Sequence, residues 1–246
     1  MSSSSRSRVD LARRSGYEFL STTVLFFGVV SLVRVLALPD SPLAIKDPHL
    51  MLGTAGSVVA LLLAALMYAP TGRASGGHFN PAVTVFLWAD GFFPARAVLP
   101  YIAAQLAGSV SGPALARLVW GAPVGRMHYA VVAPAPGLGT TALFLVETAA
   151  LVAVLAAVAV VMGRPRLHAL IPAVIAVGVG LVIASLGTVT GANINPARAF
   201  GPALLSGRYA HLWIYLLSPL VAGLLTGLAH RALRTSGPAT AQPATT

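Results

Sequence analysis

The tripeptide Asn-Pro-Ala occurs twice in this chain, in "GGHFNPAV" at 76–83 and in "GANINPAR" at 191–198. The similarity reaches upstream: "GYEFLSTTVLFFG" carries Glu18 and "TALFLVETAALVAVL" carries Glu147. Two copies of one unit therefore make up the chain, and a fold must use both in equivalent places.

The surroundings of these motifs are oily. Hydrophobic residues make up 57% and charged residues only 9%, against about 25% charged in an ordinary soluble domain. Six stretches, at 16–38, 51–71, 98–120, 140–162, 167–187 and 211–233, reach the roughly 20 apolar residues that a spanning helix needs. Three spans per copy is an odd number, so the second copy enters the membrane upside down relative to the first. After each motif, "PAVTVFLWAD" and "PARAFGPALLSG" are apolar but only about ten residues long. Such a helix covers about 15 Å, half a bilayer. Each must dip in and return, one from either side, which is tolerated where the non-helical arm is buried or lines a water-filled cavity. The expected fold is an all-α membrane protein with six transmembrane helices and two re-entrant half-helices in an inverted repeat. Residues 16–233 form the membrane domain, with repeats at about 16–120 and 140–233. Polar tails at 1–15 and 234–246 are expected to be disordered.

Net charge is +10, but its distribution follows topology rather than a nucleic-acid face. With the N-terminus inside, ten basic residues fall in cytoplasmic segments, among them Arg6, Arg8, Arg13, Arg14, Arg73 and Arg234, and five fall outside. The positive-inside rule then puts both termini in the cytoplasm of a multi-pass cell-membrane protein. No basic stretch is interleaved with stacking aromatics, so no nucleic-acid partner is expected. The absence of cysteine excludes disulfides, thiol catalysis and thiolate metal sites. No paired-histidine metal spacing, phosphate-binding glycine loop or nucleophile elbow occurs, so neither an enzyme nor a metal or other cofactor is expected.

Asparagine is a preferred N-cap and proline is favoured at the first helical position, so each Asn-Pro-Ala starts a helix. Asn80, Pro81 and Ala82 open one half-helix; Asn195, Pro196 and Ala197 open the other. Two such starts at mid-membrane bring two positive dipole ends together, which repels cations. With the asparagine oxygens used in capping, the amide NH₂ groups are expected to remain free for a water or alcohol oxygen. Arg198 stands at the third position of the second half-helix with no acidic partner nearby in sequence, and reads as a pore-lining donor that also excludes cations. Glu18 and Glu147 read as acceptors for the backbone N–H groups of the re-entrant loops. His78 reads as a brace of the first loop, with a place at the inner mouth as the alternative.

The paired motifs "SGGHFNPAVT" and "TGANINPARAFGPAL", with Glu18 and Glu147, resemble the aquaporin, or major intrinsic protein, family over residues 16–233. The resemblance implies a passive channel and a homotetramer with one pore per subunit. It also implies a four-residue selectivity filter: Arg198, Ala192, Ile183 in the fifth span and, in the second, Ala60, or Val59 if "YAPTGRASGGHFNP" carries one extra residue. Water-selective members commonly place an aromatic and a histidine where this chain has aliphatic residues, so the ring is expected to be wider and more apolar. Against a glycerol specialist, Ala199 stands where glycerol-conducting relatives have Asp, and Tyr215 keeps an aromatic in the sixth span. The expected function is passive conduction of water and small uncharged solutes such as glycerol, urea or boric acid, without ions or protons. The alternative is an ion-coupled secondary transporter using Glu18 and Glu147.

Overall fold

Long apolar runs punctuated by Gly, Pro and Asp set the helix boundaries. The computed structural model describes residues 3–236, and no strand occurs among them. The first repeat contains α1 (Ser3–Ala37), α2 (Pro48–Tyr68), the short α3 (Pro70–Ser75), the half-helix α4 (Pro81–Ala89) and α5 (Ala95–Trp120). A short α6 (Ala122–Arg126) lies in the connection. The second repeat contains α7 (Thr140–Met162), α8 (Ile171–Leu186), the half-helix α9 (Pro196–Ser206) and α10 (Leu212–Thr235).

Among the described residues, five helices are long and apolar enough to cross a membrane, counting α1, α2, α7, α8 with its preceding turn, and α10. The sixth long helix, α5, has 26 residues but carries Gln105, Ser109 and two internal prolines. Its polar side chains are spent inside the protein: Gln105 and Ser109 are both fully buried.

At one end the sequence expectation is corrected. The segment expected as a disordered tail at 1–15 is helical from Ser3 onward and continuous with the first span. No Gly or Pro interrupts Ser3–Ser15, its Ala, Leu and Arg residues are good helix formers, and Arg13 pairs with Asp10 one turn away at 3.2 Å. A helix already nucleated by the span therefore extends at the small cost of propagation. At the other end α10 runs to Thr235; residues 1–2 and 237–246, where the remaining tail expectations fall, lie outside the described residues.

The half-helices are exchanged between repeats: α4 packs on α10 and α9 packs on α5, while α2 and α8 cross each other. Small residues allow these approaches. A Cβ on Gly56 would run into the backbone carbonyl of Gly180, one on Gly223 into that of Ala82, and one on Gly201 into that of Ser109. Backbone cannot yield as a flexible side chain can. Gly201→Leu is therefore expected to separate α9 from α5 at a cost of about 3 kcal/mol, the upper range of overpacking. Thermal unfolding in detergent is the check, and an unshifted transition would refute this close contact.

Candidate functional site

The two loops that precede the half-helices have the same backbone. In the first, φ is positive at Gly76 (98°), Gly77 (63°) and Phe79 (49°); in the second, at Gly191 (83°), Ala192 (50°) and Ile194 (38°). Left-handed conformations at Phe79, Ala192 and Ile194 cost about 1–2 kcal/mol each, so surrounding groups must hold them.

Glu18 and Glu147 are both fully buried and do much of that holding. Glu18 Oε1 accepts from the His78 backbone N–H (3.1 Å) and Ser75 Oγ (2.7 Å), and Oε2 accepts from the Phe79 N–H (2.8 Å) and Gln105 Nε2 (2.8 Å). Glu147 Oε1 accepts from Asn193 N–H (3.1 Å) and Oε2 from Ile194 N–H (2.8 Å). The backbone donors among them belong to loops with no strand or helix partner, so each carboxylate substitutes for a missing ladder. Neither glutamate lines the central cavity, which removes the geometry that an ion-coupled transporter would need.

Each loop then delivers an asparagine to a helix start. Asn80 and Asn195 have extended backbones, and their side-chain oxygens accept from the N–H groups of Ala82 (2.8 Å) and Ala197 (2.9 Å). The free-amide expectation is corrected by half. Asn80 Nδ2 donates to Ile194 O and Asn195 Nδ2 donates to Phe79 O, each at 3.1 Å. A primary amide has two N–H groups, so one of each pair ties the two loops together and one remains. The cross-bond needs the carbonyls of Phe79 and Ile194, which the left-handed residues turn toward the opposite repeat.

A cavity of about 160 Å³ contains both asparagines and Arg198 in its wall. Since about 10–15 Å³ of such volume holds one water, this is room for a file of several molecules. Its sides are apolar and regular: Met51, Ala55, Val59 and Leu63 on α2 face Ile175, Val179 and Ile183 on α8 and Gly187 at its C-cap. Fourfold spacing puts each row on one helical face. The wall includes Ile183, Ala192, Arg198 and Val59, but not Ala60. A Cβ built on Gly180 would lie 3.0 Å from that of Ala60, so Ala60 is directed into the crossing of α2 with α8. Of the two second-span alternatives, Val59 is the one that reaches the lumen.

Among the described residues Arg198 makes no salt bridge and its buried Nη1 has no acceptor. An unpaired buried donor is costly and suits an oxygen passing along the cavity. His78 combines its two expected places: Nδ1 lies 3.0 Å from Thr84 Oγ1, its ring packs against Phe93 and Tyr101, and it also lines the cavity.

Two matched supports were not singled out from the sequence. Tyr101 donates to Ser75 O (2.7 Å) and Tyr215 to Thr190 O (2.5 Å); Ser75 Oγ accepts from Gly77 N–H and Thr190 Oγ1 from Ala192 N–H, both at 3.1 Å. The signal was present in the repeat, because Ser75 and Thr190 stand at the same distance before Asn80 and Asn195. Tyr215, the aromatic that the sixth span keeps, is buried against its loop and is absent from the cavity wall.

Known proteins resemble this chain. The family model described as major intrinsic protein matches residues 5–230. A probable aquaporin, AqpM, of Archaeoglobus fulgidus is 36% identical over 235 residues, covering 87% of this chain and 94% of that protein. Aquaporin-8 of Mus musculus is 34% identical over 220 residues, covering 87% and 78%. Among solved structures, the aquaglyceroporin from Plasmodium falciparum superposes with a TM-score of 0.72, covering 91% of this chain and 97% of that one; at 21% identity it speaks for the fold. With a family match over nearly its whole length and two Asn-capped half-helices meeting beside a lined cavity, the chain belongs to the major intrinsic protein family and is a passive membrane channel rather than an enzyme.

Proposed function

We propose that this channel conducts water together with small uncharged solutes of the glycerol, urea or boric acid class, and that it excludes ions and protons. The observation that carries the solute class is the aliphatic wall around Arg198. Val59, Ile183 and Ala192 offer apolar surface to a solute's carbon or nonpolar flank, while the guanidinium meets its oxygens. Asn80 and Asn195 supply the next donors, through the amide N–H that the cross-bond leaves over. Two positive half-helix ends and a fixed cation make this centre hostile to cations, and donors on both sides orient a water oxygen inward, which interrupts proton relay along the file. Glu18, Glu147 and His78 act as the loop scaffold. No cofactor takes part. The ten-to-five basic asymmetry supports cytoplasmic termini in the cell membrane, and family membership supports a homotetramer.

Proteoliposome shrinkage under a sorbitol gradient, followed by reswelling under glycerol, tests this reading against empty vesicles. Fast shrinkage with reswelling is the expected result; shrinkage alone would restrict the channel to water. Ile183→His should place a polar ring across from Arg198 and lower glycerol permeability about tenfold, equivalent to about 1.4 kcal/mol of barrier, with water flux largely kept. Equal loss of both fluxes would show that position 183 does not select.

A further inference from the structure

The half-helix α4 ends on a carboxylate that its own helix disfavours. Asp90 is the C-cap of α4, where the negative end of the helix dipole repels an acid, and its side chain is fully buried. The charge is compensated from the far end of the chain. His230 Nδ1 lies 2.8 Å from Asp90 Oδ2, and Arg234 Nη2 donates both to Asp90 Oδ1 (3.0 Å) and to the Asp90 backbone carbonyl (2.7 Å). The Arg234 guanidinium also lies 4.3 Å over the Phe92 ring.

This cluster completes a continuous seam. Gly223 abuts the carbonyl of Ala82 and Gly227 that of Phe86, and one step further His230 and Arg234 hold Asp90. Positions 82, 86 and 90 follow one face of a helix, so α10 grips α4 from its Asn-Pro-Ala end to its last residue. Nine residues of helix form a rod of about 13 Å, short enough to move as one body. The other half-helix needs no such grip: α9 ends at Ser206 with Gly207 in a left-handed cap and no carboxylate. An ion cluster is thus not a requirement for seating a half-helix. What it adds at α4 is a link to the end of α10.

We propose that Asp90 is a positioning residue for the pore: clamped by His230 and Arg234, it fixes the tilt of α4 and thereby the aim of the Asn80 amide, so that the C-terminal end of α10 sets permeation. The proposal rests on the reading of Asn80 as a lumenal donor. Release of the clamp lets α4 rock about its glycine contacts and strains the Asn80 to Ile194 bond at the opposite end.

The test compares water and glycerol permeability per folded channel for Asp90→Asn, Arg234→Gln and Arg234→Lys in proteoliposomes, with unfolding temperature measured alongside. Asp90→Asn and Arg234→Gln are expected to change water permeability about fivefold, a coupling of ordinary size, and to shift the glycerol-to-water ratio. Arg234→Lys, which keeps a cation for the carboxylate, is expected to retain both values. Variants that lose only thermal stability, with permeability and ratio at wild-type values, would overturn the proposal, as would Arg234→Lys behaving like Arg234→Gln. If Asp90→Asn does not fold, Arg234→Gln decides, since its side chain is partly exposed. Wild-type vesicles no faster than empty ones would instead sink the underlying channel reading.

Discussion

Glu147→Ala should abolish conduction by collapsing the second re-entrant loop. The substitution strands the N–H groups of Asn193 and Ile194 in a fully buried site, at about 1–3 kcal/mol for each unsatisfied group. It also removes the restraint on Ile194, whose positive φ is disfavoured for a β-branched residue. The two stranded groups alone cost about 2–6 kcal/mol, which at its upper end reaches the lower part of the range of whole-domain stability, about 5–15 kcal/mol. Glu147→Gln discriminates a scaffold from a titrating group. Its amide keeps one oxygen but turns an NH₂ toward the other N–H donor, so it should lose roughly half that stability, at about 1–3 kcal/mol, and conduct poorly. Glu18→Ala should behave like Glu147→Ala, with Ser75 Oγ and Gln105 Nε2 each losing an acceptor as well. Unfolding temperature and osmotic permeability per folded protein provide the measurement. A Glu147→Ala protein with wild-type melting and flux would show that the carboxylate does not hold the loop.

Arg198→Ala should open the cavity to ions. The guanidinium is a fixed positive charge in the cavity wall with no counter-charge among the described residues. A passing cation at about 4 Å meets a repulsion of about 4 kcal/mol at an effective dielectric of 20. Removing it predicts a rise in cation and proton leak of about two to three orders of magnitude, reduced to the extent that the half-helix dipoles still oppose entry. Neutral solutes larger than glycerol should also pass faster, because the truncated side chain would leave a gap beside Ile183 and Val59. Vesicles loaded with a pH-sensitive dye report the leak under an imposed gradient. Unaltered proton leak and unaltered solute selectivity would place the filter elsewhere.

Much of this site was legible because the repeat prints its polar residues twice. Asn80 and Asn195, Glu18 and Glu147 stood out as polar groups in apolar surroundings, where a buried donor or acceptor must have a partner. The side of α2 that faces the lumen was harder to read. Val59 and Ala60 are adjacent, both aliphatic, and separated by about 100° of helix rotation, so the choice between them follows from the crossing angle of α2 and α8. The role of Tyr215 was hidden for a related reason: a tyrosine in a spanning helix can face the lumen or a loop, and a carbonyl at Thr190 decided which.

From the sequence alone came the membrane location of the fold, its two inverted halves and the two helix starts at mid-membrane. These follow from chain-local physics: apolar length against bilayer thickness, an odd span count, and the capping chemistry of Asn-Pro. Tertiary structure decided which amide hydrogens remain free, since Asn80 and Asn195 reach carbonyls more than a hundred residues away. It also decided that Asp90 is held by His230 and Arg234, a pairing of side chains 140 and 144 positions apart. Contacts of that separation depend on how helices are stacked, and no local spacing encodes them.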